Sequence, residues 1–268
     1  MYVFDSLNLI EEILRRSPFG LITDVDGTIS PTAPTPQQAK ISPLCQHYLS
    51  DLCNRMALIA AISGRPAIEI KDMIKIDGIV YIGNHGLERW SGSRSELTEN
   101  AQDYSTLIKT VTDELTPLLS IAGIIIENKG VTATVHYRIC PEPQSVEREI
   151  LKAVGALSQS KELRIVRGKM SINILPAADM NKGTATLDLI REYNLQGAIY
   201  LGDEITDVDA FKAVHAASRD TDFSGLAIGV VGQETLEEVL TESDFTLNGV
   251  SDVENFLKWM SEDASRPS

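Results

Sequence analysis

The sequence has little cysteine: Cys45, Cys53 and Cys140 are all it holds, an odd number and widely scattered. That argues against a disulfide framework or a cysteine zinc site and for reduced thiols in a cytoplasmic protein. Cys45 and Cys53 read as packing residues on a helix face. No apolar run approaches the roughly 18 residues that a membrane span requires. The first residues set Glu11 and Glu12 inside a Leu7/Ile10/Leu14 helical stripe, so they do not read as a signal peptide. Positive charge is also scarce, with 24 Lys and Arg against 38 Asp and Glu and a formal charge of −14. Nucleic acid and anionic membranes select basic surfaces, so neither is an expected partner. An anionic substrate would have to be held by local cations. Low-complexity tracts are absent, and a monomer is expected. The remaining composition, 43% hydrophobic and 23% charged over 268 residues, suits one large soluble domain or two modest ones.

What the chain does carry is a series of apolar runs that stop at chemically useful side chains. Residues 21–28 (Leu-Ile-Thr-Asp-Val-Asp-Gly-Thr) end such a run in two aspartates spaced i, i+2. In extended backbone those side chains point the same way, so Asp24 and Asp26 are expected to converge, with Gly27 allowing a sharp turn beside them. Two like charges held together need a cation or a retained proton. Either state serves catalysis, with one Asp as nucleophile and the other as proton carrier. A solvated turn at a strand end would look the same on this motif alone.

Three later segments add to it. The run 57–62 stops at Ser63-Gly64-Arg65-Pro66, where a hydroxyl and backbone N–H groups could face an anion, although Ser before Gly is also ordinary turn chemistry. Asn181-Lys182-Gly183-Thr184 opens a helical pattern, and a lysine there opposes the macrodipole. A nearby phosphate would account for it; a solvated lysine is the plainer alternative. Residues 198–202 end in Gly202 and are followed by Asp203, Glu204 and Asp207, oxygen donors of the kind Mg2+ prefers.

Helix and strand patterns alternate at both ends of the chain. Helices are predicted at about 5–16, 42–55, 66–74, 183–194, 207–217, 233–240 and 251–260. Strands are predicted at 19–24, 57–62, 79–82, 198–202, 225–231 and 244–247, with a Pro/Thr-rich connector at 30–37. This is an α/β pattern, a doubly wound parallel sheet of Rossmann-like form with functional groups at the carboxyl ends of its strands. The middle differs: helices near 100–120 and 143–158 each precede two strands (124–127 and 131–139; 163–166 and 170–175). That αββαββ pattern implies an inserted α+β cap over 90–176, leaving 1–89 and 177–268 as the core. The tail 264–268 is expected to fray.

Strand-end Asp-x-Asp, strand-end Ser, helix-start Lys and strand-end acids, in that order, resemble the four-part signature of the haloacid dehalogenase-like phosphohydrolases. Gly83-Asn84-His85-Gly86-Leu87-Glu88 and Gly202-Asp203-Glu204-Ile205-Thr206-Asp207, with Phe211 beyond, are similar to stretches of the trehalose-6-phosphate phosphatase branch. The resemblance covers roughly residues 15–260. It implies hydrolysis of a phosphate monoester through an aspartyl-phosphate, with Asp24 as nucleophile and Asp26 as acid and then base. Lys182 would pair with the phosphate and Asp24, and Ser63 would donate to a phosphoryl oxygen. Mg2+ would be held by Asp24, the backbone carbonyl of Asp26 and Asp203, with Asp207 and Glu204 orienting that set.

The same resemblance implies a sugar phosphate as the small-molecule partner. Gly64, Arg65, Asn84 and His85 would contact it from the core; a buried, hydrogen-bonded His is the alternative for His85. Lys129, His136, Arg138 and Lys169, placed on the second and fourth strands of the cap, would contact it from there. One departure matters: the branch usually has Glu and Arg in the run-up to Pro176, where this chain has Asn173 and Leu175. Rival readings are therefore a phosphatase of another glycosyl phosphate, such as sucrose phosphate or a glucosyl- or mannosyl-glycerate phosphate, then a phosphomutase. A non-catalytic phosphosugar sensor is less expected, because both Asp24 and Asp26 are present.

Overall fold

Near-continuous apolar runs form the middle of the sheet, as expected for strands covered on both faces. The computed structural model describes residues 1–99, 101–220 and 222–263, so the tail expected to fray lies outside the described residues. In chain order the strands are β1 (Phe19–Thr23), β2 (Leu58–Ile62), β3 (Val80–Gly83), β4 (Glu88–Trp90), β5 (Ser95–Leu97), β6 (Ile125–Asn128), β7 (Ala133–His136), β8 (Leu163–Gly168), β9 (Ser171–Pro176), β10 (Gly197–Gly202), β11 (Ser224–Val231) and β12 (Phe245–Asn248). The helices are α1 (Leu7–Leu14), α2 (Pro43–Cys53), α3 (Ala67–Ile74), α4 (Ala101–Leu118), α5 (Pro143–Ala156), α6 (Lys182–Glu192), α7 (Ile205–Asp220), α8 (Glu237–Glu242) and α9 (Gly249–Asp263). None of the described helices is long and apolar enough to cross a membrane.

The chain divides into two compact units. One contains Met1–Thr32, Ala39–Glu96 and the chain from Met180 onward; the other contains Ala33–Gln38 and Leu97–Asp179. The large sheet runs in the order β12-β11-β10-β1-β2-β3-β4-β5. It is parallel from β12 to β3, while β4 returns antiparallel, pairing Ile82 with Arg89 and Gly83 with Glu88. Strands β4 and β5 are too short for an alternation to show in the sequence, and neither was expected. The helix expected from 233 begins only at Glu237.

Alternation within each strand sorts the core onto two faces. Leu21, Ile59, Ala61, Ile199 and Leu201 pack with Leu49, Leu52, Phe256 and Leu257 of α2 and α9. Ile22, Ala60, Ile62, Ala198 and Tyr200 pack with Ala185 and Leu189 of α6 and with Phe211 and Val214 of α7. Cys45 and Cys53 join the first face as packing groups, and burial pushes the Cys45 thiol up to about 12. The second unit repeats helix-strand-strand and pairs its strands antiparallel in the order β6-β7-β9-β8. Ile108, Val111 and Leu115 of α4, with Val146, Ile150 and Val154 of α5, meet Ala133, Val135, Ile172 and Ile174 on one face of this sheet. Glu127, Thr134, His136 and Asn173 alternate onto the other face.

Caps fix where the helices start. Ser42 accepts hydrogen bonds from the Leu44 and Cys45 N–H groups ahead of α2, with Pro43 in its first turn. Asn181 and Thr184 form a reciprocal capping box that starts α6 at Lys182. Asn181→Ala should therefore cost about 1 kcal/mol, within the usual 0.5–2 for a lost cap. Urea unfolding should show a lower midpoint with an unchanged slope.

Candidate active site

The end of β1 is tied to its neighbour when the Asp24 N–H donates to the Leu201 carbonyl at 2.8 Å. Beyond Asp24 the chain bends at Val25, which is fully buried, and turns through Gly27 at φ +86°. The Gly27 N–H closes the turn on the Ser30 carbonyl at 2.7 Å. A Cβ at position 27 would lie 2.0 Å from Asp203 Oδ2, so the position excludes a side chain for steric as well as conformational reasons. The absent side chain lets the carboxylate at the end of β10 approach the turn. Thr28 then donates to Asp203 Oδ1 at 3.0 Å.

The bend gives Asp24 and Asp26 separate partners. Asp24, 3% exposed, accepts from Lys182 Nζ at 2.9 Å. Asp26 instead receives both arms of the Arg65 guanidinium, at 2.6 Å from Nε and 2.9 Å from Nη2. Between the two the chain leaves extended geometry at Val25, and each carboxylate takes its own cation.

Lys182 is 1% exposed, and Nζ also donates to Asp207 Oδ1 at 2.8 Å. Burial by itself would lower its pKa, but Asp207 and then Asp24 more than reverse that, so the shift is upward and the ammonium stays charged. Asp24 shifts well upward, chiefly through burial; Lys182 opposes this, while Asp207 and Asp203 add to it. Asp207 also accepts from the Tyr200 hydroxyl at 2.8 Å and, through Oδ2, from the Asp203 and Glu204 N–H groups at 3.0 and 2.9 Å. Its carboxylate is thus surrounded by donors from β10, α6 and its own turn. Tyr200 keeps its proton, because burial and then Asp207 and Asp24 raise its pKa well above the ordinary value. Glu204 is half-buried, and its carboxylate adds to the field on Lys182.

Ser63 ends β2 with its N–H on the Ile82 carbonyl at 3.0 Å, and its hydroxyl accepts from the Arg65 N–H at 3.2 Å. The residues 83–88 support this loop. Asn84 and His85 adopt left-handed φ values of 49° and 58°, which aims the Asn84 N–H at the Arg65 carbonyl (2.8 Å) and the His85 N–H at the Ser63 carbonyl (2.9 Å). The Glu88 carboxylate accepts from Asn84 Nδ2 at 2.7 Å and from the Ala67 N–H at 3.0 Å, capping α3, which has no side-chain cap of its own. The His85 ring lies over Gly64, where a Cβ would come within 2.6 Å of it. Asn84 and His85, expected to meet a ligand, are 1% and 4% exposed and brace the Ser63 loop.

In the second unit, Lys129, Arg138 and Lys169 lie outside the strands on which they were expected, in the connecting loops and turns; His136 closes β7. The His136 ring and Glu127 pair at 2.9 Å, and Lys129 Nζ stands 3.6 Å from the same carboxylate. Arg138 Nη2 donates to the Lys169 carbonyl at 3.0 Å, across the sheet. Thr134 donates to Asn173 Oδ1 at 2.9 Å.

Among the described residues, Asp24, Asp203 and Asp207 each offer an oxygen lying within 4.8 Å of the other two. The buried, oxygen-only donor set fits a hard divalent cation such as Mg2+, and its excess of carboxylate over ammonium would be relieved by one. Asp207 has its oxygens engaged by four donors, so Asp24 and Asp203 are the carboxylates suited to hold the ion. Thr28, Tyr200 and Glu88 had no assigned role in the sequence. Thr28 and Glu88 each carried a signal, as the last residue of a stretch the sequence set apart.

A doubly wound sheet with Asp24, Ser63 and Asp203 at the carboxyl ends of its strands, and Lys182 at the start of a helix packed on it, defines the haloacid dehalogenase-like fold. The trehalose-phosphatase family model matches residues 22–251, and the chain belongs to that family. It is 30% identical over 216 residues to a trehalose-phosphate phosphatase of Mycobacterium bovis, covering 78% of this chain and 54% of that protein. Its likeness to the Mycobacterium leprae trehalose-phosphate phosphatase is 29% over 267 residues, or 94% of this chain and 59% of the relative. The chain thus spans somewhat over half the length of these two relatives. The C-terminal domain of the Candida albicans trehalose-6-phosphate phosphatase superposes with a TM-score of 0.81 at 18% identity, covering 96% of both chains.

Asp207→Asn should destabilise the metal-free protein by about 1.5–3 kcal/mol, because it weakens the charge-assisted hydrogen bonds that Asp207 accepts from Lys182, Tyr200 and two backbone N–H groups. Urea unfolding in chelator reads this directly. A change under about 1 kcal/mol, the range of an ordinary surface substitution, would mean that Asp207 does not hold Lys182 in place.

Proposed function

We propose that this chain is a phosphatase that hydrolyses trehalose 6-phosphate to trehalose and inorganic phosphate. Carrying this reading is the buried Asp24–Lys182 pair, set beside Asp203 at the strand ends of a trehalose-phosphatase family member. Asp24 attacks phosphorus, the bond to the sugar oxygen breaks, and Asp26 protonates that oxygen as it leaves. Asp26 then takes a proton from a water molecule, which attacks the aspartyl-phosphate and returns Asp24 as a carboxylate. Lys182 and Ser63 hold the phosphoryl oxygens, offsetting the repulsion between the attacking carboxylate and the dianionic ester.

Asp24, the Asp26 carbonyl and Asp203 would hold Mg2+, which when bound neutralises phosphoryl charge. Asp207 holds Lys182 and the Asp203 backbone, and Glu204 adds charge beside them. We assign the unit that carries β1 and β10 as the catalytic core and the unit that contains Leu97–Asp179 as the one that selects the sugar, with Lys129, His136, Arg138 and Lys169 as its candidate contacts. The protein is read as a cytoplasmic monomer. Preference for another glycosyl phosphate is the second reading, favoured by Asn173, whose amide oxygen is bonded by Thr134.

Phosphate release should be measured across a panel of phosphorylated sugars. Trehalose 6-phosphate should be turned over fastest, and Asp24→Asn should lower that turnover at least about 10³-fold while the protein stays folded. Faster hydrolysis of a different glycosyl phosphate would select the second reading. Near-normal activity in the Asn variant would remove the covalent mechanism.

Chelator should abolish activity, and added Mg2+ should restore it. In titration calorimetry of the substrate-free protein, Asp203→Ala should weaken Mg2+ binding by more than about 100-fold, beyond the roughly 10- to 100-fold typical of losing a mere orienting partner. Full activity in excess chelator, or unchanged Mg2+ affinity in the variant, would refute the metal assignment.

A further inference from the structure

We propose that Arg65 is a positioning residue, whose guanidinium fixes the direction in which Asp26 meets the leaving oxygen. This rests on the reading of Asp26 as the proton carrier. The two N–H groups of Arg65 meet the two oxygens of Asp26 at 2.6 and 2.9 Å, a fork-to-carboxylate pairing that sets orientation as well as distance. Arg65 is the anchored partner: its side chain is 11% exposed, against 39% for Asp26.

The anchoring can be followed through the backbone. The Arg65 N–H is bound to the Ser63 hydroxyl, and its carbonyl accepts from the Asn84 N–H. One helical turn on, Glu69 stands 3.6 Å from Nη1. The guanidinium is thus committed to two carboxylates, a poor arrangement for gripping a phosphate dianion. Asp26 sits in a turn whose backbone is pinned by the Gly27–Ser30 hydrogen bond, which leaves its side-chain torsions as the remaining freedom. A bidentate pair removes that freedom. A lysine, a point charge on a flexible stem, would not.

The chemistry supplies a specific test. A sugar alkoxide leaves poorly without a proton, whereas p-nitrophenolate leaves without one. A group that acts by orienting the acid should matter for the first ester and little for the second. Leaving-group release is followed in single turnovers with excess enzyme and Mg2+, using trehalose 6-phosphate and p-nitrophenyl phosphate with Arg65→Lys, Asp26→Asn and the double variant.

Arg65→Lys should slow sugar release about 10- to 100-fold, the scale of a misplaced catalytic group, and slow p-nitrophenolate release far less. In parallel steady-state assays, KM for the sugar ester should stay within about threefold. The double variant should be no slower than Asp26→Asn alone, because the two residues act as one unit. Equal loss on both esters would overturn the proposal, since a phosphate contact or damage to the fold would act on both; a rise in KM alone would also overturn it. If Asp26→Asn itself shows no split between the esters, the proton-carrier assignment fails and the proposal falls with it. A split in Asp26→Asn but not in Arg65→Lys defeats the Arg65 inference alone. Should the Lys variant fail to fold, as judged by its urea midpoint, Arg65→Gln takes its place with the same expectations.

Discussion

A buried ammonium is tolerated only where carboxylates surround it, and most of the site follows from meeting that condition at Lys182. The side chain is delivered by the first residue of α6, which the Asn181–Thr184 capping box fixes in place. Asp24 from β1 and Asp207 from α7 supply the two counter-charges. Three separate stretches of chain thus converge on one nitrogen, and each must keep its register for the charge to remain paired. Breaking either contact leaves the ammonium with a single carboxylate in low dielectric. The group proposed to neutralise phosphate is therefore also a group on which the core depends.

Around that pair, two residues expected to meet a ligand also hold loops. Asn84 is bound to Glu88, the His85 ring covers Gly64, and both backbone N–H groups brace the Ser63–Arg65 turn. Three successive left-handed residues, Asn84, His85 and Gly86, are sustained because Glu88 and the neighbouring carbonyls take up their donors. Such strain has a use in fixing the one loop from which Ser63 faces the strand ends. Gly27 does comparable work on the other side, by letting Asp203 close on the turn.

Separate cations for Asp24 and Asp26 divide the proposed labour. The nucleophile is buried with Lys182, where charge is strongly felt; the proton carrier is more open and is held by Arg65. An acid that must meet both a leaving sugar and an incoming water needs access, while a nucleophile needs a fixed line of attack. The second unit has a different character. Its helices cover one face of an antiparallel sheet, while Glu127, Thr134, His136 and Asn173 lie on the other. A polar sheet face of this kind suits sugar hydroxyls, which is why the question of substrate identity is sharpest at Asn173.

The sequence by itself determined the layer order and the ends of the strands. Buried parallel strands such as Leu58–Ile62 and Gly197–Gly202 read as apolar runs, and the motif residues mark where those runs stop. Alternating αββ patterns likewise announced the second sheet, and Asn181-Lys182 announced the start of α6. Local spacing carries such information because it depends on neighbours along the chain. Only the tertiary structure decided which charges meet. The pairing of Arg65 with Asp26 spans 39 residues and that of Lys182 with Asp24 spans 158, and no local period encodes either. Tyr200 is an ordinary strand residue until the sheet turns its hydroxyl toward α6 and α7, and Thr28 is an ordinary turn residue until β10 brings Asp203 beside it. Nor does local spacing show that Asp24 and Asp26, two residues apart, bind different cations. Between them the chain bends at Val25 into the Gly27 turn, and only the fold shows that Asp203, from the far end of the sequence, packs against that turn.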